Sequence, residues 1–213
     1  YYNVHLKSPK HIISTDTLYY DVKKASAHIL GPNSRIRSGQ TVIRTSNAYY
    51  NTRTDRARMF GRSTVVDGTK TITGDSLYYV KNGYSHGIGR VVYTDLKNHN
   101  ALHCGFFRYN ERTGFGFATR DPVAFEYSHK DTLYVHADTM KIFTFNMNKK
   151  NVYRQVLAFH KVKAYRTDIQ AICDSLVYNS KDSCMTLYHD PIVWNDNRQL
   201  LGEVIKAFLS DST

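Results

Sequence analysis

Apolar and polar residues alternate along most of the chain, and the alternation restarts at a near-constant interval. Asp16-Thr17-Leu18-Tyr19-Tyr20 recurs as Asp75-Ser76-Leu77-Tyr78-Tyr79, then as Asp138-Thr139-Met140-Lys141-Ile142 and Asp174-Ser175-Leu176-Val177-Tyr178. Two weaker copies, Ser46-Asn47-Ala48-Tyr49-Tyr50 and Gly105-Phe106-Phe107-Arg108-Tyr109, fill the gap. The copies begin at positions 16, 46, 75, 105, 138 and 174, so successive spacings are 30, 29, 30, 33 and 36. A sustained period of this size is the signature of stacked supersecondary units.

The flanks repeat as well. The preceding residue is small in every copy: Thr15, Thr45, Gly74, Cys104, Ala137 and Cys173. Three before the start stands an aliphatic residue in five copies: Ile13, Ile43, Ile72, Leu102 and Val135. Asp21, Asn51, Asn110 and Asn179 follow as turn formers, because their side chains bond their own backbone. Each unit therefore reads as strand, turn, strand. No segment sustains a 3.6-residue period, and Gly202–Phe208 reads as a final strand. The prediction is an all-β chain of about 12 to 16 short strands, continuous over residues 1–213 as a single repeat domain. Ile72 and Gly74 share one strand face, while Leu77 and Tyr79 share the other parity, yet both pairs are apolar or small. A bulge or bend near Asp75 returns both to the interior. The same corner is expected near Asp16, Asp138 and Asp174. The widened spacing of the last two intervals is assigned to an insert around Asn146–Gln155.

Hairpin-type Asn and Asp turns favour an antiparallel array over a parallel β-helix. Either one encloses a row of aliphatics that is packed solid or left open for a chain-like ligand.

Composition narrows the partner. The 213 residues carry 29 Lys and Arg against 18 Asp and Glu, a net charge of +11, which suits an anionic partner. The basic residues are spread along the chain, from Lys23-Lys24 to Lys161 and Lys163, without a dense block. No apolar run approaches the roughly 20 residues of a membrane helix, which excludes a helical membrane protein. The chain opens on Tyr1 without Met or a leader, as expected of a mature or excised segment. Cys104, Cys173 and Cys184 form no CxxC pair and read as small buried hydrophobes.

Candidate chemistry is sparse. Asp16, Asp75, Asp138 and Asp174 invite a polysaccharide-cleaving reading, because glycoside hydrolysis needs two facing carboxylates. They recur in register with the fold, however, which marks corner formers rather than catalysts. The ten His show no metal-ligand spacing, the pair His129 and His136 being read as lying on adjacent strand ends. Gly87-Ile88-Gly89-Arg90 completes no phosphate loop, and no GxSxG elbow is present. Nucleic-acid binding fits the charge, but the periodic Tyr residues are explained by the repeat. No cofactor or metal is called for. The residues leave open a β-solenoid that binds or cleaves polysaccharide and a structural repeat domain of the cell surface.

The stretches Thr71–Tyr79, Thr41–Gly61 and Ile13–Gly31 resemble the OstA-like family, which includes the periplasmic lipopolysaccharide transport protein LptA and the amino-terminal domain of the translocon LptD. The resemblance spans residues about 11–190 and is one of repeat pattern. It implies an elongated, twisted antiparallel β-jelly roll open along one edge. It implies a periplasmic, non-enzymatic module, at or near the outer membrane, that joins other OstA-like domains end to end by β-strand addition. Acyl chains of lipid A would slide in its interior. On this reading the lipid-facing positions are Ile13, Leu18, Ile43, Ile72, Leu77, Leu102, Phe107, Val135, Met140, Ile142 and Leu176. Each buried CH2 of an acyl chain there would gain roughly 0.8 kcal/mol.

Overall fold

The computed structural model describes residues 3–128, 130–147, 149–195 and 197–208. Strands dominate, and the one helical element among the described residues is a 3-10 turn at Leu96–Asn98. Eight strands are long: β4 (Ser26–Ser38), β5 (Thr41–Asn51), β6 (Arg56–Asp67), β7 (Lys70–Val80), β8 (Tyr84–Asp95), β9 (Asn100–Asn110), β14 (Tyr153–Arg166) and β15 (Ile169–Asn179). Elsewhere the same course is broken into successive pieces. These are β2 (His11–Thr15) with β3 (Thr17–Asp21), β10 (Phe115–Thr119) with β11 (Val123–Glu126), and β12 (Leu133–His136) with β13 (Thr139–Phe145). Later come β16 (Cys184–Tyr188) with β17 (Ile192–Asn195), and β18 (Arg198–Leu201) with β19 (Val204–Phe208). β1 (Val4–Lys7) pairs with β2, and all 19 strands join one antiparallel array. The sequence estimate of 12 to 16 short strands was low, because a corner splits a single course into two strands in five places.

The corners are where the repeat places them. Between β6 and β7 the register jumps from Phe60↔Ser76 to Ser63↔Gly74, leaving Asp75 unpaired on β7 and Gly61 and Arg62 unpaired on β6. Between β14 and β15 it jumps from Phe159↔Ser175 to Val162↔Cys173, with Asp174 at the jump. Asp16 and Asp138 fall in the breaks between β2 and β3 and between β12 and β13. An extra residue bends a strand and reverses which parity faces inward. A motif course such as β7 thus gives its first half to a leading half-sheet and its second half to a trailing one, and the antiparallel return strands such as β6 do the reverse. The two half-sheets fold over a shared interior.

The small residue before each Asp is explained by this bend. Thr15, Thr45, Gly74, Cys104, Ala137 and Cys173 are all buried at the crease. The polar ones are satisfied locally: Thr15 and Ser34 share a 2.7 Å hydroxyl–hydroxyl hydrogen bond, and Thr45 and Ser63 one of 2.9 Å. On the trailing half-sheet large and small inward residues face each other across strands: Tyr50 opposite Ala57, Tyr109 opposite Gly116, Met140 opposite Ala158. Such alternation lets neighbouring rows interdigitate.

The two widened intervals have separate causes. One is the six-residue loop 127–132 between β11 and β12, where other turns of that side take as few as two residues, as at Gly39 and Gln40. The other is the seven-residue loop 146–152 between β13 and β14, against four residues at 52–55. The sequence reading placed one insert around Asn146–Gln155 and missed the first loop. That loop begins with Tyr127-Ser128 and carries no Gly or Pro punctuation.

Candidate functional site

The interior is the candidate site, and it has two unlike halves. From β2 to β7 it is filled by Ile13, Ile29, Ile36, Ile43, Met59, Leu77 and their neighbours, each almost wholly buried. From β8 onward a second cluster surrounds empty space. Ile72 is half-buried and packs against both clusters.

Three voids follow one another along this interior. The largest is a cavity of about 350 Å³ lined by Leu102, Phe107, Ala124, Leu133, Val135, Met140, Ile142, Val156, Leu176 and Met185. A second of about 90 Å³ lies against Ile72, Tyr79, Tyr93 and Phe107. A third of about 10 Å³, beside Ile43, Tyr50 and Tyr79, is too small to hold more than a water molecule. Tyr93 and Phe107 border the first two voids, and Tyr79 the last two, so the space tapers toward the amino-terminal half. The widest void is within the size range of small-molecule sites.

Polar groups stand at its mouth. Lys70, Asn98, Asn100, Glu126, Ser128, Arg154 and Ser180 line it together with Val152, which is 45% exposed. Ser128 and Val152 come from the two long loops, so both interruptions of the repeat meet at this cavity. Asp95 is buried there and caps the 3-10 turn through the Asn98 amide N–H at 3.3 Å, with the Arg154 guanidinium 3.7 Å away. Glu111, beside the second void, accepts the Asn82 N–H at 2.6 Å. Burial pushes its carboxyl pKa up, opposed by that hydrogen bond.

The lips of the amino-terminal half are latched. Asp55, in the turn between β5 and β6, accepts hydrogen bonds from Tyr50 (2.5 Å) and Ser38 (3.2 Å), and its Oδ1 lies 2.9 Å from His11 Nε2. His11 and Ser38 belong to the leading half-sheet, and Asp55 to the turn of the trailing one. Burial raises the Asp55 pKa, but the hydrogen bonds from Tyr50, His11 and Ser38 outweigh it and hold it below the usual carboxylate value. Nothing in the sequence pattern marked this network, because its members lie in different repeats.

Of the positions assigned to the interior from sequence, Leu102, Phe107, Val135, Met140, Ile142 and Leu176 line the large cavity, and Ile72 the second. Ile13, Ile43 and Leu77 are packed in the tight half, and Leu18 is half-buried beside it. Sequence reasoning missed Ala124, Val156 and Met185 on the cavity wall, which lie on the return strands rather than in the motif.

The repeated carboxylates act at corners. Asp75 is held by two hydrogen bonds from Arg90, at 3.0 and 2.8 Å, and a third from Arg62 at 3.3 Å. The Arg90 hydrogen bonds keep its carboxyl below the usual value. Asp174 lies 3.2 Å from His160 Nδ1, and Asp138 3.9 Å from the Lys161 ammonium. Gly87 lies inside β8, and Gly89-Arg90 forms the corner opposite Asp75. His129 lies outside the described residues, while His136 is on β12 within 3.3 Å of Asp121. Among the described residues no three His, Cys, Asp or Glu side chains converge where a metal ion could sit.

Known proteins add little. No family model matches the chain, and no curated protein matches it by sequence. A solved structure does resemble it. That structure is LptH, described as the LptA-homologous periplasmic component of the lipopolysaccharide transport device of Pseudomonas aeruginosa. The two share 11% identity with a TM-score of 0.46, over 66% of this chain and 95% of that one.

Proposed function

We propose that the chain is a non-enzymatic module that binds and passes on lipopolysaccharide, holding acyl chains in the carboxy-terminal half of its interior. The observation that carries this reading is the cavity of about 350 Å³ between the half-sheets, apolar within and polar at its mouth. A concave apolar space with a few polar groups at its rim is the usual form of a site for an apolar ligand. Lys70 and Arg154 at the rim suit the phosphates of lipid A, and the net charge of +11 adds long-range attraction for them. The repeat pattern shared with the OstA-like family, whose members work in the periplasm, points the same way. End-to-end joining with other such domains belongs to this proposal: β1 and β3 end the ladder on one side and β18 and β19 on the other, and an unpaired edge accepts a further strand. Three of the corner carboxylates, Asp75, Asp138 and Asp174, are paired with Arg, Lys or His side chains rather than with one another, which argues against the facing acid and base that polysaccharide cleavage needs.

The test is displacement of a fluorescent fatty acid. Intact lipopolysaccharide should displace it from the wild type, and the Ala124→Phe variant, which fills the cavity, should bind the probe at least about tenfold more weakly. Failure of the wild type to bind the probe, or equal binding by a folded Ala124→Phe, would contradict the proposal.

A further inference from the structure

The outward face of the trailing half-sheet carries an unbroken row across nine neighbouring strands: Tyr19, His28, Tyr49, Arg58, Tyr78, His86, Arg108, Phe117 and Lys141. At about 4.8 Å between strands the row is roughly 38 Å long. From β4 to β19 no Asp or Glu occupies an outward position of this half-sheet among the described residues. Asp21, at the end of the edge strand β3, shares the outward parity of Tyr19, whereas Asp75, Asp95 and Asp55 are engaged at a corner, at a strand end and in a turn.

Segregation of carboxylates from this face, from β4 onward, does not follow from folding. Cross-strand ion pairs would stabilise such a face, whereas here cations are set against rings. Arg58 lies 5.1 Å from the Phe60 ring centre, Arg108 4.9 Å from Phe117, and Lys141 5.2 Å from Phe159. A cation on a ring keeps its charge and remains available to an anion. Arg108 Nε and His86 Nδ1, which face each other in register, have no hydrogen-bond partner.

We infer that this row binds a phosphate-bearing oligosaccharide lying along the outside of the sheet. The ring geometry selects a glycan over single-stranded nucleic acid. His28 and Tyr49 stack at 4.1 Å and 8°, and Arg58 and Arg108 each cover one face of the Phe60 and Phe117 rings, so these four rings offer fewer faces for base stacking. A nucleobase needs a free ring face. What the row offers outward is phenol hydroxyls, imidazole edges and cationic N–H donors, with Tyr19 63% and Tyr49 47% exposed. These match sugar hydroxyls and phosphate oxygens. The inference needs no acyl chain, so it stands apart from the cavity.

The test titrates the full chain at low salt with lipopolysaccharide freed of its acyl chains by alkali, a phosphorylated oligosaccharide. Replacing Arg58, Arg108 and Lys141 by Gln should weaken binding roughly tenfold or more. Removing the same charge from loops, with Lys23→Gln, Lys149→Gln and Lys150→Gln, should change it less than about threefold. If the triple substitution on the sheet unfolds the chain, Arg58→Gln with Lys141→Gln leaves the half-buried Arg108 in place and should still cost about threefold or more. Equal losses from face and loop variants would mean that net charge alone is read. That result, no binding by the wild type, or tighter binding of a single-stranded oligothymidylate would overturn the inference. The fatty-acid probe in the cavity is unaffected by any of these outcomes.

Discussion

His11 and Asp55 are 44 residues apart in the chain, yet His11 Nε2 lies 2.9 Å from the Asp55 carboxylate. That contact, with the Tyr50 and Ser38 hydrogen bonds to the same oxygen, draws the lips of the two half-sheets together where the interior is solid. The wide half has a looser closure, the 3.7 Å approach of Arg154 to Asp95.

Removing the latch should cost stability without removing the core. Asp55→Ala leaves the Tyr50 hydroxyl without its acceptor, and the expected loss is about 2 kcal/mol in urea denaturation. Because the folded-state pKa of Asp55 lies below its unfolded value, its contribution is complete above the unfolded carboxylate pKa. It is lost as pH falls through the lowered folded pKa. The stability gap between wild type and Asp55→Ala should therefore be constant near neutrality and narrow under acid conditions.

Gly89 turns the corner above Asp75 with φ of +73°, and a Cβ there would stand 2.7 Å from the Asp75 carboxylate oxygen. Gly89→Ala should cost the left-handed strain of about 1–2 kcal/mol and, in addition, displace the carboxylate from Arg90. Gly39 has φ of +60° with nothing within 4 Å of a built Cβ, so Gly39→Ala should show the strain alone. Equal losses for the two variants would remove the steric account of the corner.

Met59, on the return strand β6 opposite Leu77, and Met140, in the fifth motif copy, lie in the tight and wide halves, and both are fully buried. Met59→Ala opens a new hole in a filled core and should cost about 2–5 kcal/mol. Met140 borders space that is already empty, so Met140→Ala should cost less than Met59→Ala does. The difference in denaturation midpoints at equal slope checks this.

Burial pushes the Cys104 thiol up to about 12 and the Cys173 thiol to about 11. Neither should react appreciably with a thiol reagent at neutral pH while the chain is folded. Both should react at once in denaturant, which gives a local measure of opening in the wide half.

The repeat was readable because each element answers to a local cause. The Asp before Ser-Leu-Tyr-Tyr marks a corner, the small residue before it fits the crease, and the Asn or Asp after it starts a turn. Parity analysis around Asp75 located the bend, since Ile72 and Leu77 could not otherwise both face inward. The taper of the interior was not readable. Ala124, Val156 and Met185 border empty space, whereas Ala48 and Ala57, equally small, border none, and only the approach of the half-sheets distinguishes them. The Asp55 latch was hidden for a related reason: it joins His11, Ser38, Tyr50 and Asp55 from separate turns and strands, with no sequence spacing to reveal it.

The most direct test of the central claim places one photo-crosslinking residue at Ile142, at Leu18 or at the outward Lys163, in the presence of lipopolysaccharide. Ile142 lines the cavity, Leu18 is equally half-buried but beside the filled half, and Lys163 is exposed. The account predicts crosslinked lipopolysaccharide from Ile142 and little from the other two. Equal crosslinking at Leu18 and Ile142, or none at Ile142 in a folded chain, would contradict an acyl-chain site confined to the wide half.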